Sequence, residues 1–365
     1  MRTSHKFTHI LLTLFVLIAG ATASMAAPAV SPSIPSDMKQ GSMLFYNIYT
    51  STVGDASQNT RLNITNTHPT KSVNVHFFFA RSIDCTIADT YVCLTANQTF
   101  SFLASEYDPG ETGFIFGVAT DDAGCPINFN YLIGDLYTKS YFGTTSYFQA
   151  NLGAVAFAAQ NIWDGANYVA WAPFTRALLF NNDMLCAIAF GLYHDVTNPT
   201  ICHALYDKVP CQLAVDNIQS EADGNTTLLI LHSMQGKPEQ AGSIGTLLGQ
   251  VFDDNEKGYS FQTSQTGCIW TKVINKSLIR VPTGIDKVIS KGHTGWMYFQ
   301  SPNGGTTGVP DLGLLGATIV SSNKPETFNG GHNLHMLKVK DNRGFAIPVF
   351  PSGAACSGIA PLGLD

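Results

Sequence analysis

An internal repeat constrains this chain more than any other feature of its sequence. Three short segments recur in the same order and at one shared offset: 110–114 at 292–296, 132–134 at 314–316, and 151–152 at 333–334. Two further matches have slightly smaller offsets, Asn47 with Asn217 and 59–64 with 225–230. Cys85 and Cys268 also lie at nearly the shared offset. Matches that keep their order and register indicate a duplicated module of roughly 100 residues.

Each copy has the hydrophobic pattern of β-strands. Residues 61–65 and 72–76 alternate polar and apolar side chains, with turn residues between the apolar segments. Charged residues make up only 13% of the chain, and 33 glycines favour turns over helices. We therefore expect an all-β protein with two tandem β-sandwich domains, residues 41–152 and 207–365. An inserted connecting segment, 153–206, separates them as either a hairpin or a short helix.

The N-terminus has the three-part pattern of a secretory signal peptide. Arg2 and Lys6 precede an apolar run, 10–20, and small residues follow up to Ala26. This run is too short to cross a bilayer core of ~30 Å as a helix. We therefore expect a cleaved signal peptide, 1–26, then a Pro/Ser-rich linker, 27–40, and no transmembrane segment in the mature chain. The expected location is secreted, extracellular or periplasmic.

Eight cysteines in an exported chain predict disulfide bonds. Two pairs are close enough in sequence to suggest local bridges, Cys85 with Cys93 and Cys202 with Cys211. The remaining connectivity stays open, because sequence spacing does not determine it. Zinc binding is the alternative for cysteines, but it requires tightly spaced motifs such as Cys-x-x-Cys, which this sequence lacks.

Catalytic motifs are missing from the sequence. The nearest approach to a Gly-x-Ser-x-Gly nucleophile turn, 241–245, has Ala at its first position. Neither a His-Glu-x-x-His zinc motif nor a Gly-rich phosphate loop occurs. A formal charge of −6 without a basic cluster disfavours a nucleic-acid partner. The sequence therefore predicts no catalytic residue and no cofactor, with Ca²⁺ as the one alternative.

Two clusters contain residue types that bind metals. Asp253, Asp254 and Glu256 supply three carboxylates that Ca²⁺ could use, although a solvated acidic hairpin turn explains the same residues. His332 and His335 form a second candidate site, for a transition metal. Residues three apart on a strand point to opposite faces, so these two imidazoles converge only if the chain turns between them.

Aromatic residues set two expectations about packing. Phe77, Phe78 and Phe79 are adjacent, and neighbouring strand residues point to opposite faces, so at least one ring must leave the first core. We expect that ring to pack on residues 171–180 or on the second domain. Tryptophans are core residues unless they lie exposed in a row, where their rings would stack on sugars. The four candidates are Trp163, Trp171, Trp270 and Trp296.

The segments RLNITNTHPTKSVNVHFFF, GETGFIFGVAT and CPINFNYLIGD resemble the Ig-like β-sandwich modules of exported bacterial proteins. From about Gly41 the chain is similar to uncharacterised members of that group that carry GWM, GHNLH and IPVFP segments. The resemblance implies two tandem Ig-like domains and export, and it implies no catalytic or binding residue.

The expected function is that of an extracellular or cell-surface protein that is structural, adhesive or ligand-binding and has no catalytic chemistry of its own. Its expected partners are glycans, cell-surface components or further copies of the same chain. The alternative is a secreted hydrolase that acts on polysaccharide or another polymer.

Overall fold

Strand formation follows the hydrophobic pattern of the sequence. In β2 (Asn59–Asn66) every second side chain is buried, as the alternation predicts. In β3 (Val73–Arg81) the side chains of both faces are buried, which explains an almost unbroken run of aromatic and aliphatic residues. Helix is confined, in the described residues, to short segments such as α1 (Ala104–Tyr107). The protein is therefore all-β, as expected.

The computed structural model describes residues 34–55, 57–122, 124, 126–142, 146–160, 176–180, 203–233, 245–265, 268–274, 288–300, 313–322, 329–340, 343–347 and 356. The predicted signal peptide, 1–26, lies outside these residues. Among the described residues, no helix is long and apolar enough to cross a membrane. The remaining strands are β1 (Met43–Thr50), β4 (Ile87–Leu94), β5 (Thr99–Leu103), β6 (Thr112–Thr120), β7 (Leu132–Phe142), β8 (Ser146–Gly153), β9 (Val155–Phe157), β10 (Ala159–Gln160), β11 (Arg176–Phe180), β12 (His203–Tyr206), β13 (Val209–Gln219), β14 (Asn225–Ser233), β15 (Gly245–Asp253), β16 (Gly258–Gln265), β17 (Ile269–Val273), β18 (Thr294–Gln300), β19 (Leu314–Ser322), β20 (Gly330–Asn333), β21 (His335–Lys340) and β22 (Arg343–Ile347).

The first nine strands form two antiparallel sheets that face each other. Sheet A has the order β4-β3-β6-β1-β9, and sheet B has the order β5-β2-β7-β8. Phe77 and Phe79 of sheet A pack on Phe102 of sheet B, with ring centroids 5.3 and 6.4 Å apart. The Tyr46 hydroxyl crosses the same space and donates to the Asn63 carbonyl at 3.1 Å. The core of this half therefore lies between sheets A and B.

The later strands form a second pair of sheets and one smaller sheet. Sheet D has the order β16-β15-β18-β13-β21, and sheet E has the order β17-β14-β19-β20. Leu213 and Met297 of sheet D share a buried cluster with Leu229 and Leu231 of sheet E. Sheet C joins β10-β12-β11-β22 and contains a parallel pair, β11 with β12. The described residues of the predicted connecting segment are thus mostly strand, with β9 in sheet A and β10, β11 and β12 in sheet C.

The two sheet pairs are topological copies of each other. When β1–β9 are matched in chain order with β13–β21, the strand order of sheet A becomes that of sheet D, and the strand order of sheet B becomes that of sheet E. Gly113 and Gly295, which are related by the shared offset of the repeat, are each the second residue of the equivalent strands β6 and β18. A Cβ atom at either glycine would collide with the carbonyl oxygen of a facing strand, from Ala80 or Phe252. The repeated glycine therefore permits close approach of the strands in both copies.

The strand ladders correct the sequence alignment of β1 with β13 by a single position. Both strands shift register at a β-bulge against their neighbour, between Tyr46 and Tyr49 in β1 and between Val215 and Ile218 in β13. Superposing the two ladders makes Asn47 the equivalent of Asp216 and not of Asn217. The bulge itself is thus a repeated feature.

Disulfide bonds connect distant parts of the chain, so the predicted local bridge Cys85–Cys93 is wrong. Cys85 pairs with Cys268 and Cys93 pairs with Cys356, with Cα atoms 5.5 and 5.1 Å apart. The strand β4 runs between Cys85 and Cys93 at ~3.3 Å per residue, which separates them far beyond disulfide reach. Cys85 and Cys268 are therefore bonded to each other. Their separation of 183 residues is close to the offset of the repeat, but the two cysteines are not equivalent positions of the two copies.

The second predicted bridge, Cys202–Cys211, includes a residue outside the described part of the chain. Cys211 lies in β13 and is buried. The bridge Cys202–Cys211 therefore stays a prediction.

Sheet E is the layer that joins the two halves. One face of β14 places Leu228 and Ile230 in the first buried cluster, with residues of sheet A. The adjacent residues Leu229 and Leu231 face the second cluster, shared with sheet D. A strand that is buried on both faces needs apolar residues at consecutive positions, and β14 contains such a run.

A row of rings on the outer face of sheet A meets sheet E. Phe78 stacks on Phe116 at 4.7 Å, and Phe114 lies 4.9 Å from the imidazole of His232 in β14. Phe78 thus points away from the A–B core, towards the second half, while Phe77 and Phe79 stay inside it. The expectation that one of the three adjacent rings leaves the first core is confirmed.

Polar groups at this contact form a hydrogen-bonded chain. The His232 Nε2 group donates to the Asn47 carbonyl at 2.6 Å, and the Asn47 amide donates to Asn333 Oδ1 at 2.7 Å. Asn333 in turn donates to the Gly153 carbonyl and to Asp37, both at 2.8 Å. Burial lowers the pKa of His232 to about 3, so its imidazole is neutral at physiological pH.

Disulfide mapping tests the cross-links. Proteolysis of the oxidised protein without reduction should yield mass-spectrometric peptides that link Cys85 to Cys268 and Cys93 to Cys356. Replacing both Cys85 and Cys268 by alanine should lower the free energy of unfolding by ~2–4 kcal/mol, since the bond constrains the unfolded chain. A peptide that links Cys85 to Cys93 would contradict the structure.

Acid sensitivity tests the His232 contact. The folded pKa of about 3 lies below the ordinary value of 6.5, so between these pH values the unfolded state binds a proton that the folded state does not. The free energy of unfolding should therefore decrease as the pH is lowered through this window, by up to about 1.4 kcal/mol per pH unit. Urea titrations at pH 6.5 and pH 5 should show a smaller loss in His232→Gln, whereas His293→Ala, which removes a surface imidazole, should keep the wild-type loss. Equal losses in wild type and His232→Gln would refute this assignment.

Candidate functional site

A row of one exposed and two half-buried rings crosses the outer face of sheet D. In β18 the residues Gly295, Met297 and Phe299 are buried, so Trp296 and Tyr298 point outward. Phe252 of β15 pairs with Trp296 across the ladder, and their rings stack at 5.1 Å. Tyr298 lies 5.9 Å from Trp296. We call Phe252, Trp296 and Tyr298 the aromatic row.

The aromatic row is accessible, unlike its equivalent in the first copy. The Trp296 side chain is 42% exposed. Its counterpart on sheet A, Phe114, is 1% exposed because sheet E covers that face. Of the other tryptophans considered from the sequence, Trp270 is buried in the second core, and Trp163 and Trp171 lie outside the described residues. Of the two tryptophans in the described part of the chain, Trp296 is thus the one that a ligand could contact.

Uncharged polar groups surround the aromatic row. The Tyr298 hydroxyl donates to Gln250 Oε1 at 2.7 Å, which fixes the tilt of the ring. Ser260 pairs with Gln250, and Gln262 pairs with Leu248, so both share the outward positions of the neighbouring strands. Serine and glutamine offer hydrogen bonds to a ligand without a net charge.

The two sequence-predicted histidines converge because the chain changes sheets between them. β20 ends at Asn333 in sheet E, and β21 starts at His335 in sheet D. Leu334 is the turning point: its side chain is buried in the second core, and its N–H donates to the Gly316 carbonyl at 2.9 Å. The imidazole centroids of His332 and His335 lie 5.7 Å apart. The turn on which convergence depended is therefore present.

A carboxylate completes the group. Asp216 Oδ1 lies 3.1 Å from His332 Nε2, and Asp216 Oδ2 lies 3.3 Å from His335 Nε2. One ligand atom from each of the three residues lies within 4.8 Å of the others, a spacing compatible with a shared metal ion. We call these residues the His–Asp cluster. All three side chains are 41–57% exposed.

Asp216 is the member that sequence reasoning misses, because sequence spacing gives no sign of its approach to the histidines. It lies on the β13 bulge, where Asn217 adopts a left-handed conformation with φ of 49°. A bulge redirects the side chains of its strand, and bulges occur often beside functional sites. The ladder places 216–217 opposite Trp296, since Val215 pairs with Met297 and Ile218 with Gly295. The His–Asp cluster and the aromatic row therefore share one face of sheet D.

The acidic candidate, Asp253, Asp254 and Glu256, uses its carboxylates within the hairpin. Asp253 Oδ1 accepts the backbone N–H groups of Asn255 and Lys257 at 3.0 and 2.8 Å. Asp254 Oδ1 lies 2.6 Å from His293 Nδ1, and this hydrogen bond is the main cause of the lowered pKa of Asp254. Glu256 is exposed, with φ of 65°. These contacts correspond to the solvated-turn interpretation of the cluster.

Comparison with known proteins gives only distant structural likeness. No protein-family model and no curated protein matches the chain. A solved structure from Thermotoga maritima, of the protein termed 1070, is 11% identical, with 32% of this chain and 95% of that chain covered and a TM-score of 0.25. The PBSX exported protein XepA is 9% identical, with 83% and 92% covered and a TM-score of 0.18. Likeness at this level carries no functional inference.

The role of the acidic hairpin can be tested at Asp253. The variant Asp253→Ala should lower the free energy of unfolding by about 1–2 kcal/mol, because two backbone N–H groups lose their acceptor. Chemical denaturation measures this loss, and Glu256→Gln, a change at an exposed carboxylate of the same turn, should cause little. The loss should be the same with and without added Ca²⁺. A Ca²⁺-dependent rise in melting temperature that Asp253→Ala abolishes would instead show a calcium site.

Proposed function

We propose that the protein is an exported binding protein that recognises a neutral glycan on the outer face of sheet D. The observation that carries this proposal is the exposed aromatic row. A pyranose ring has apolar C–H faces that stack on aromatic rings, and Trp296 offers the largest such surface. Solvent-exposed aromatic side chains in a continuous row form the kind of apolar patch that marks ligand sites on protein surfaces.

The polar surroundings favour a sugar over an apolar ligand. Gln250, Ser260 and Gln262 supply amide and hydroxyl groups at the positions that flank the rings. Sugar hydroxyls both donate and accept hydrogen bonds, as these side chains do. The side chains of β15 and β16 that flank the rings are uncharged and suit the hydroxyl groups of a neutral sugar, while the charged Asp216 lies on β13, across the ladder from Trp296.

An Ig-like sandwich is part of the proposal. In Ig domains the second strand pairs with the fifth, and the third pairs with the sixth. The pairs β2–β5 and β3–β6 in the first copy, and β14–β17 and β15–β18 in the second, follow that rule. Three strands depart from the order of constant-type Ig domains, because β1 pairs with β6, β4 with β3 and β7 with β2. The second copy repeats these three pairs as β13–β18, β16–β15 and β19–β14. We interpret the two sheet pairs as tandem copies of one Ig-like module with these altered pairings.

Export is supported by chemistry as well as by the signal-peptide pattern. Disulfides persist in oxidising compartments and are rare in reducing ones. Two disulfides join parts of the chain separated by 183 and 263 residues, so the folded protein depends on an environment where they form. An extracellular, cell-surface or periplasmic location is consistent with a glycan as ligand.

The glycan proposal is tested by binding the mature protein to a panel of neutral polysaccharides. Pull-down and affinity electrophoresis should show binding to at least one of them. Trp296→Ala should weaken that binding roughly tenfold, because stacking on the ring contributes about 1–1.5 kcal/mol. Tyr141→Ala is the matched control, since Tyr141 is a comparably exposed ring (46%) on sheet B, away from the row. It should bind as wild type does.

Two outcomes would count against this function. Absence of binding to every neutral polysaccharide, or equal binding by wild type and Trp296→Ala, would refute recognition by the aromatic row. Release of reducing ends from a bound polymer would favour the alternative, a secreted hydrolase.

A further inference from the structure

We infer that Asp216, His332 and His335 form a binding site for a transition-metal dication of the Zn²⁺ type. The site lies on the same face as the aromatic row, but the inference does not depend on glycan binding. It rests on the contacts within the cluster, the spacing of its ligand atoms and the way that the fold holds them.

The contacts of His332 fix its tautomer and direct its other ring nitrogen at the Asp216 carboxylate. Its Nδ1 atom lies 3.0 Å from the Asn333 carbonyl, which can only accept, so Nδ1 carries a proton. In the neutral imidazole, Nε2 then has a lone pair and no proton. That lone pair faces Asp216 Oδ1, another acceptor, at 3.1 Å. A metal ion or a second proton resolves this opposition of two acceptors.

The hydrogen bond to Asn333 also prepares His332 as a ligand. Metal-binding histidines usually donate their other ring N–H to a carbonyl or carboxylate, which fixes the tautomer and the ring plane. Asn333 is itself held by its hydrogen bonds to Asp37, Asn47 and Gly153. The first half of the protein therefore supports the ligand geometry of the second.

The spacing of the ligand atoms fits zinc. Two ligands at ~2.0–2.1 Å from a tetrahedral Zn²⁺ lie about 3.3 Å from each other. The separations from Asp216 Oδ1 to His332 Nε2, 3.1 Å, and from Asp216 Oδ2 to His335 Nε2, 3.3 Å, have this size. One ligand atom from each of the three residues also lies within 4.8 Å of the others.

The ligand types select the metal. Two imidazole nitrogens and one carboxylate suit Zn²⁺ and neighbouring transition metals, whereas Ca²⁺ and Mg²⁺ prefer oxygen ligands alone. Three protein ligands leave one tetrahedral position open, and the exposure of all three side chains places that position towards solvent. An ion bound here can accept a further ligand from outside the protein.

The equivalent place in the first copy lacks this chemistry. Asn47 occupies the position of Asp216 on the repeated bulge, and it is 1% exposed and bonded to His232 and Asn333. A neutral amide serves the buried contact there, whereas the second copy has a carboxylate on an open face. The difference between the copies falls on the residue that a cation requires.

Equilibrium dialysis with metal analysis tests the site on the mature, untagged protein after treatment with a chelator. Wild type should retain one Zn²⁺ per chain. Asp216→Asn and His335→Gln should each weaken binding by roughly 10- to 100-fold. His293→Ala, which removes a different exposed imidazole paired with an aspartate, should bind as wild type does. Circular dichroism should show unchanged strand content in each variant, since all the altered side chains are exposed.

Cobalt provides a second readout that separates this site from the cysteines. Co²⁺ bound by nitrogen and oxygen ligands should give weak visible bands that disappear in Asp216→Asn. Intense thiolate charge-transfer bands would locate the metal at cysteines and overturn the inference. It would also be overturned if wild type retained no Zn²⁺, if both cluster variants bound like wild type, or if His293→Ala lost binding equally. Glycan binding is measured separately in metal-free protein, so failure of either proposal leaves the other distinguishable.

Discussion

Burial of sheet E on both faces is the interaction on which the rest of the structure depends. Leu228 and Ile230 fill the contact with sheet A, while Leu229 and Leu231 fill the core shared with sheet D. Each fully buried leucine or isoleucine contributes on the order of 1.5–3 kcal/mol. The same strand therefore stabilises the second core and its attachment to the first half. Cys85–Cys268 closes a covalent link between the same two halves, beside the start of β17 in sheet E.

The two sheet pairs have equivalent strand orders, so their residues can be compared position by position at this contact. The ladders shift the sequence match of 59–64 with 225–230 by one position, so Arg61 and Asn63 of β2 are the equivalents of Leu228 and Ile230. Sheet B, which carries them, has exposed or half-exposed polar residues where sheet E has buried leucine and isoleucine. Stacked repeats need such a polar outer face on a terminal unit. Identical folds thus serve as an end layer in one copy and as a middle layer in the other.

The local hydrophobic pattern of the sequence predicts the strands, but it does not predict which distant strands contact each other. The alternation in β2 and the repeated Gly113 and Gly295 are local signals, and they indicated the all-β structure and the shared spacing. The disulfide partners depend on which strand ends meet in space, so neighbours in sequence, Cys85 and Cys93, were misleading. The His–Asp cluster needs a bulge in β13 and a change of sheet at Leu334, and neither feature has a clear sequence signature.

The open face of sheet D follows from the same stacking that buries sheet E. Phe114 and Phe116 on sheet A are covered by the next sheet in the stack, and their equivalents on sheet D are Trp296 and Tyr298. Both sheets thus carry aromatic residues at these equivalent positions. Among the described residues, however, only the rings of sheet A have another protein layer packed against them. The exposed rings have polar neighbours: Gln250 stands at the position of Phe78, and it binds the Tyr298 hydroxyl. The face that packs against sheet E in the first sheet pair is, in the second, a solvated face with rings, amides and the His–Asp cluster. Covering this face with another sheet would remove the half-exposed Asp216 carboxylate from water, which is costly for a charged group.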